Sequence, residues 1–153
     1  MAKKKNEKII IVLKDIKETI YRFNYDFDYS TLSDRDLKIG VNHMFNYDID
    51  KNSFDIEFAI KYFVNEIEET DLVELGLLTS FEINPLTSFI SVSNNDKFTT
   101  KEPIIFERIC TTCIDTLRGV LFSHLKGTDL SKFPLPMLPI KEILATNKIR
   151  IEK

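Results

Sequence analysis

Residues 103–144, PIIFERICTTCIDTLRGVLFSHLKGTDLSKFPLPMLPIKEIL, decide how this chain folds. Phe106, Ile109, Cys110, Cys113, Leu117, Val120 and Leu121 recur at three- and four-residue intervals, which predicts one apolar stripe along a helix spanning residues 103–125. Pro103 suits a first helical position, where the missing amide proton costs no intrahelical bond. Gly127 stands where a left-handed residue would end the helix. Beyond it, Pro134, Pro136 and Pro139 punctuate Phe133, Leu135, Met137, Leu138 and Ile140. Each proline biases its predecessor toward extended geometry, so this part is an apolar extended strip until a short last helix starts near Ile140 and runs to about Asn147.

Upstream of the helix the period changes from 3.6 to 2. Residues 20–29 alternate Tyr21, Phe23, Tyr25, Phe27 and Tyr29 with Arg22, Asn24, Asp26 and Asp28. Residues 37–49 place Ile39, Val41, His43, Phe45, Tyr47 and Ile49 on one side, and residues 54–64 do the same with Phe54, Ile56, Phe58, Ile60, Tyr62 and Val64. A fourth run, 72–83, holds Val73, Leu75, Leu77, Phe81 and Ile83 at odd positions, with Leu72 and Leu78 on the opposite face. These are four half-buried strands. The segment 84–100 reads as a loop anchored by Phe89, Ile90 and Val92, and Ile9 to Leu13 as a strand or opening segment. Strands first and helices afterwards predict an α+β domain: a four-stranded antiparallel sheet with a long helix, an extended crossover and a short second helix on one face. The other face is expected to be acidic and exposed.

The 153 residues fit a single domain, 1–153, whose lysine-rich start, 1–8, reads as a solvated arm. A net charge of −3 with a pI near 5.5 argues against nucleic-acid binding. Ile9 to Leu13 is too short an apolar run for a signal peptide, and no run is long enough for membrane insertion. With two cysteines and no export signal, a reducing cytoplasm is expected.

Cys110 and Cys113 sit inside the helix on its apolar stripe, with no second pair to complete a metal site, so they read as small buried hydrophobes. His43 and His124 stand alone, without an acid partner at motif spacing. No phosphate loop, nucleophile elbow or HExxH is present. No catalytic residue, metal or cofactor is therefore assigned. Asp26, Asp28, Asp55, Glu57, Glu74 and Glu82 form an acidic set that reads either as a solvated sheet face or as a docking face for a basic partner.

The element order across residues 16–147 resembles the SecB family of bacterial protein-export chaperones. Arg118, Gly119 and Phe122 look like that family's Arg-Gly-x-aromatic pattern, and Leu135, Pro136, Leu138, Pro139 and Ile140 like its Leu-x-Pro-apolar crossover. The tether after Arg118 is longer than in the family, the last helix is shorter, and NKIRIEK does not look like the family's C-terminal tail. The resemblance implies a cytoplasmic, ATP-independent holdase that binds unfolded or preprotein clients as a homo-oligomer, dimer or tetramer, with the SecA translocation motor as a further partner. It places the client groove at Tyr21, Phe23, Tyr25, Phe45, Phe133, Leu135, Met137 and Leu138, and the acidic docking face at Asp55, Glu57, Glu74 and Glu82. Two alternatives stay open: a module dedicated to one antitoxin-like client, and a small-molecule binder or enzyme using the space beneath the crossover.

Overall fold

A computed structural model describes residues 7–33, 35–65, 68–95, 97–146 and 151–152. Four long strands, β1 (Ile10–Phe23), β2 (Lys38–Asp48), β3 (Ser53–Asn65) and β4 (Glu69–Asn84), form an antiparallel sheet in the order β1-β4-β3-β2. Short strands β5 (Ile90–Val92) and β6 (Phe98–Thr100) pair with each other, and then come helices α1 (Pro103–Leu125) and α2 (Ile140–Thr146). A two-residue strand β7 (Ile151–Glu152) adds to β2 in parallel. Class, strand pairing and helix positions agree with the expectation from the periodicities.

The first strand differs from its expected span. It begins at Ile10 and ends at Phe23, before the most regular part of the aromatic alternation. Asn24 stops it: the side-chain amide donates to the Asp71 carbonyl at 3.0 Å, while its Oδ1 accepts from the backbone amides of Asp26 and Phe27. Such an Asx turn competes directly with the ladder. Asp28 then caps a single 3₁₀ turn, Tyr29–Thr31. The alternating rings pack on one another within the turn: Phe23 lies 4.8 Å from Tyr25 and 5.7 Å from Tyr29, and Phe27 lies 5.1 Å from Tyr29.

α1 lies across β3 and β4. It buries Ile109, Cys110, Cys113, Ile114, Leu117, Leu121 and Leu125, with Phe106 and Val120 half-buried at the stripe's margins. Opposite them lie the even positions of β3 from Phe54 to Val64, all buried. Leu72 is also core, because the register shifts by one residue between Tyr62 and Phe63 and turns the end of β4 inward. In the 84–100 segment Leu86, Phe89, Ile90 and Phe98 are the anchors, whereas Val92 faces solvent. At Gly76 an added Cβ would meet Thr19 Oγ1 at 2.6 Å and Ile20 Cγ2 at 3.0 Å, so only glycine lets the second bulge of β1 lie this close to β4.

The face away from α1 carries Asp55, Glu57, Glu74 and Glu82 together, but it is neither purely acidic nor bare. Lys14 lies 3.8 Å from Glu82, Lys61 lies 3.3 Å from Asp71, and Arg22 stands opposite Glu74 in the ladder. All four acids are half-buried among neighbours that include Met44, Ala59 and Leu78. Residues 1–6 of the basic start lie outside the described residues; Glu7 accepts a hydrogen bond from Ser88 Oγ at 2.9 Å.

A groove between the long helix and the crossover

The crossover owes its course to what its prolines remove. Gly127 adopts φ 78° and ends α1, and the Thr128 amide closes the cap on the Leu125 carbonyl at 3.0 Å. A 3₁₀ turn, Asp129–Lys132, reverses the chain. Residues 134–138 then run extended, with no backbone–backbone hydrogen bond among the described residues; Pro134 and Pro136 carry no donor. Side chains from the body hold this strap instead. The Tyr62 hydroxyl donates to the Phe133 carbonyl at 2.8 Å. Arg118 Nε donates to the Leu135 carbonyl at 3.0 Å and Nη2 to the Pro136 carbonyl at 2.9 Å, while Nη1 is braced by Asp115. Burial pushes the Tyr62 phenol up to about 12, partly countered by the Arg118 charge, so it remains a donor throughout the physiological range.

Strap and helix do not close on each other. Between them lies a groove of about 320 Å³, with Gly119, Leu121, Phe122 and Leu125 on the α1 side and Leu130, Pro134 and Leu135 on the crossover side. Asp115, Arg118 and Ser131 supply its polar atoms. That volume falls within the roughly 300–1,000 Å³ of small-ligand pockets. Phe122 is 55% exposed at the rim with the Lys126 ammonium 5.6 Å from its ring centroid, and Met137 is 88% exposed on the strap.

Of the expected groove residues, only Leu135 lines this cavity, and it is 4% exposed. Phe133 and Leu138 are half-buried beside it. Tyr21 and Phe23 belong to an aromatic patch on the other flank of the α1 C-terminus, where Tyr25 stands 82% exposed. There Tyr21 stacks on His124 at 4.0 Å, and His124 Nε2 lies 2.9 Å from Glu18 Oε2. Tyr29, the first residue of the 3₁₀ turn after β1, packs on Phe23 and Phe27 at the end of that patch, its phenol pushed up to about 12 by burial and by the Asp129 charge. Phe45 is in neither place. It is fully buried against Phe54, Phe98 and Phe106 and presents no surface. Gly119, Phe122, Leu125 and Leu130 were absent from the sequence-derived set; the signal for Phe122 was an aromatic ring off the apolar stripe of its own helix.

The cysteines are buried and free, their thiols raised above the ordinary value first by desolvation, Cys113 to about 11. Neither forms a reactive thiolate at neutral pH. Among the described residues no group of His, Cys, Asp and Glu side chains could hold a metal ion, and no helix is long and apolar enough to cross a membrane.

Compared by sequence, the chain matches no family model and no curated protein. Compared by structure, it is similar to the SecB-like chaperone Rv1957 of Mycobacterium tuberculosis, solved in complex with a ChAD peptide from the Rv1956 HigA1 antitoxin. The TM-score is 0.53 and the identity 9%, over 84% of this chain and 90% of that one. The fold is SecB-like. A protein of unknown function from Streptococcus agalactiae also aligns, at a TM-score of 0.37 and 10% identity, over 86% of this chain and 98% of that one. This SecB-like chain thus shares the fold over 84% of its residues with little of the sequence.

Proposed function

We propose that this chain is a non-enzymatic, ATP-independent chaperone that holds apolar segments of unfolded client proteins in the groove between α1 and the crossover. The observation that carries the reading is the groove itself: an open, apolar-walled space lined by exposed Phe122, with Met137 exposed farther along the strap. Clients without a fixed shape are gripped by apolar area and by side chains that repack, such as methionine and aromatic rings. The aromatic patch at Tyr21, Phe23 and Tyr25 supplies a second contact area for a longer segment.

A narrower version has its own support. The structurally similar mycobacterial protein was solved with a peptide from an antitoxin, which favours a chaperone dedicated to one client. Breadth of binding separates the two versions. We also assign a homo-oligomer, joined through the free edge of β1, where Ile10, Val12, Leu13 and Ile16 are 43–55% exposed.

The test uses the position where the groove can be blocked without touching the core. An added Cβ at Gly119 meets nothing within 4 Å, so Gly119→Leu projects into the groove while leaving the packed stripe intact. Light scattering of a chemically denatured protein, diluted into buffer with the chain and no nucleotide, should show suppressed aggregation with the wild type and little with the variant. Equal suppression by a folded Gly119→Leu protein would remove the groove from the mechanism. Absence of suppression by the wild type would leave the dedicated-client version, to be tested by capture from the source cell.

A further inference from the structure

The crossover wall of the groove is peculiar in that residues 134–138 make no backbone–backbone hydrogen bond among the described residues. A strap of this composition has no ladder to fix its register, since Pro134 and Pro136 supply no donors. Apart from the buried Leu135 side chain, its position depends on the few side chains that grip its carbonyls. Tyr62 grips one end at Phe133 and, among the described residues, Arg118 grips two carbonyls beyond it, at Leu135 and Pro136. Arg118 can do so because its guanidinium is planar and forked, and because Asp115, one helical turn earlier, fixes the third nitrogen. With a side chain 25% exposed, Arg118 is itself part of the groove wall.

We infer that Arg118 is the positioning residue of the groove: by holding the Leu135 and Pro136 carbonyls it sets the separation between strap and α1, and with it the size of apolar side chain the groove admits. The second half of this inference rests on the client-groove reading; the first does not. Tyr62 cannot substitute, because it acts upstream of Pro134. Lysine at 118 offers the charge without the fork, so it should reach one carbonyl and restore the strap only in part.

Both halves are testable in one set of proteins. Cys110 and Cys113 are buried, so spin labels introduced by Met137→Cys on the strap and Ser123→Cys on the exposed side of α1 react selectively. Pulsed dipolar spectroscopy should give a narrow distance distribution with Arg118 in place, a broad one in R118A and an intermediate one in R118K. An R118A distribution as narrow as the parent's overturns the inference whatever the binding data show. The second readout is the affinity of short Ser/Gly peptides carrying a single alanine, leucine, phenylalanine or naphthylalanine. With Arg118 present the groove should discriminate by size. In R118A the ratio between phenylalanine and naphthylalanine peptides should fall roughly tenfold, the scale set by losing charge-assisted hydrogen bonds. A uniform loss across all peptides, in parallel with the melting temperature, overturns the specificity half. Broadening of the strap with no peptide bound by any variant refutes the client groove while leaving Arg118 as the strap's anchor. R118K keeps the experiment decisive if R118A does not fold, because its distribution must still be broader than the parent's.

Discussion

Gly119 is placed mid-helix, where glycine costs backbone entropy and packs nothing, with open space where a Cβ would be. Gly119→Ala should therefore raise stability by about 0.5–1 kcal/mol, read as a higher urea midpoint with an unchanged slope. A lower midpoint would mean that the helix needs flexibility there. His43 makes an independent prediction about pH. It is 8% exposed between Phe45 and Phe58, and burial lowers its pKa below the ordinary histidine value. Above about pH 6.5 the ring is neutral in both folded and unfolded chains, and its contribution to stability does not change. As pH falls through that value the unfolded chain takes up a proton that the folded one still refuses. Stability is lost until the lowered native pKa is reached. Urea midpoints at pH 7.5 and pH 5 should differ less in His43→Phe than in the wild type; equal differences would assign the acid sensitivity to carboxylates.

Among the elements, legibility followed from how much of the decisive physics is local. α1 was readable because one stripe from Phe106 to Leu121 meets one sheet face, and its end was readable because Gly127 takes a φ few other residues tolerate. Gly127→Ala should cost about 1–2 kcal/mol in thermal or urea unfolding, since an added Cβ has room and the penalty is purely one of backbone geometry. An unaltered midpoint would show that the cap shifts freely. The crossover was readable for the same reason, its prolines forbidding both helix and ladder. β1 was not. The alternation from Tyr21 to Tyr29 carries the period of a strand, but Asn24 bonds to Asp71, forty-seven residues away, and breaks it. Nothing local in 20–29 foretells that bond. A groove at the crossover was legible, but its other wall was not, for a related reason: Gly119, Phe122 and Leu130 acquire their role only when the strap returns beside α1. The resemblance placed Phe45 in the groove, whereas alternation gives only its face and does not tell how completely Phe98 and Phe106 cover it.

For the whole molecule, the sheet poses a problem of closure that the groove does not. β1 is an edge strand, and its exposed apolar side chains lie on both faces: Ile10 and Val12 stand opposite Asn84 and Glu82 on the outer face, Leu13 and Ile16 opposite Phe81 and Thr79 on the α1 face. A client segment laid on one face would leave the other wet. A second copy paired along β1 would extend the sheet and bring its own helix, covering the α1 face of both strands at once. Bulges after Leu13 and Glu18 break the outer edge into short flat stretches, which limits open-ended addition and suits a closed two-fold pairing. Lysine introduced at Leu13 and Ile16 would put charge into that junction without entering the core of one chain. Light scattering coupled to gel filtration should then give a dimer or larger for the wild type and a folded monomer for the double variant. If the wild type elutes as a monomer at the concentrations at which it suppresses aggregation, the β1 edge is free. Its apolar residues would then be available to add a strand from the client itself, and the double variant should lose client binding instead of assembly.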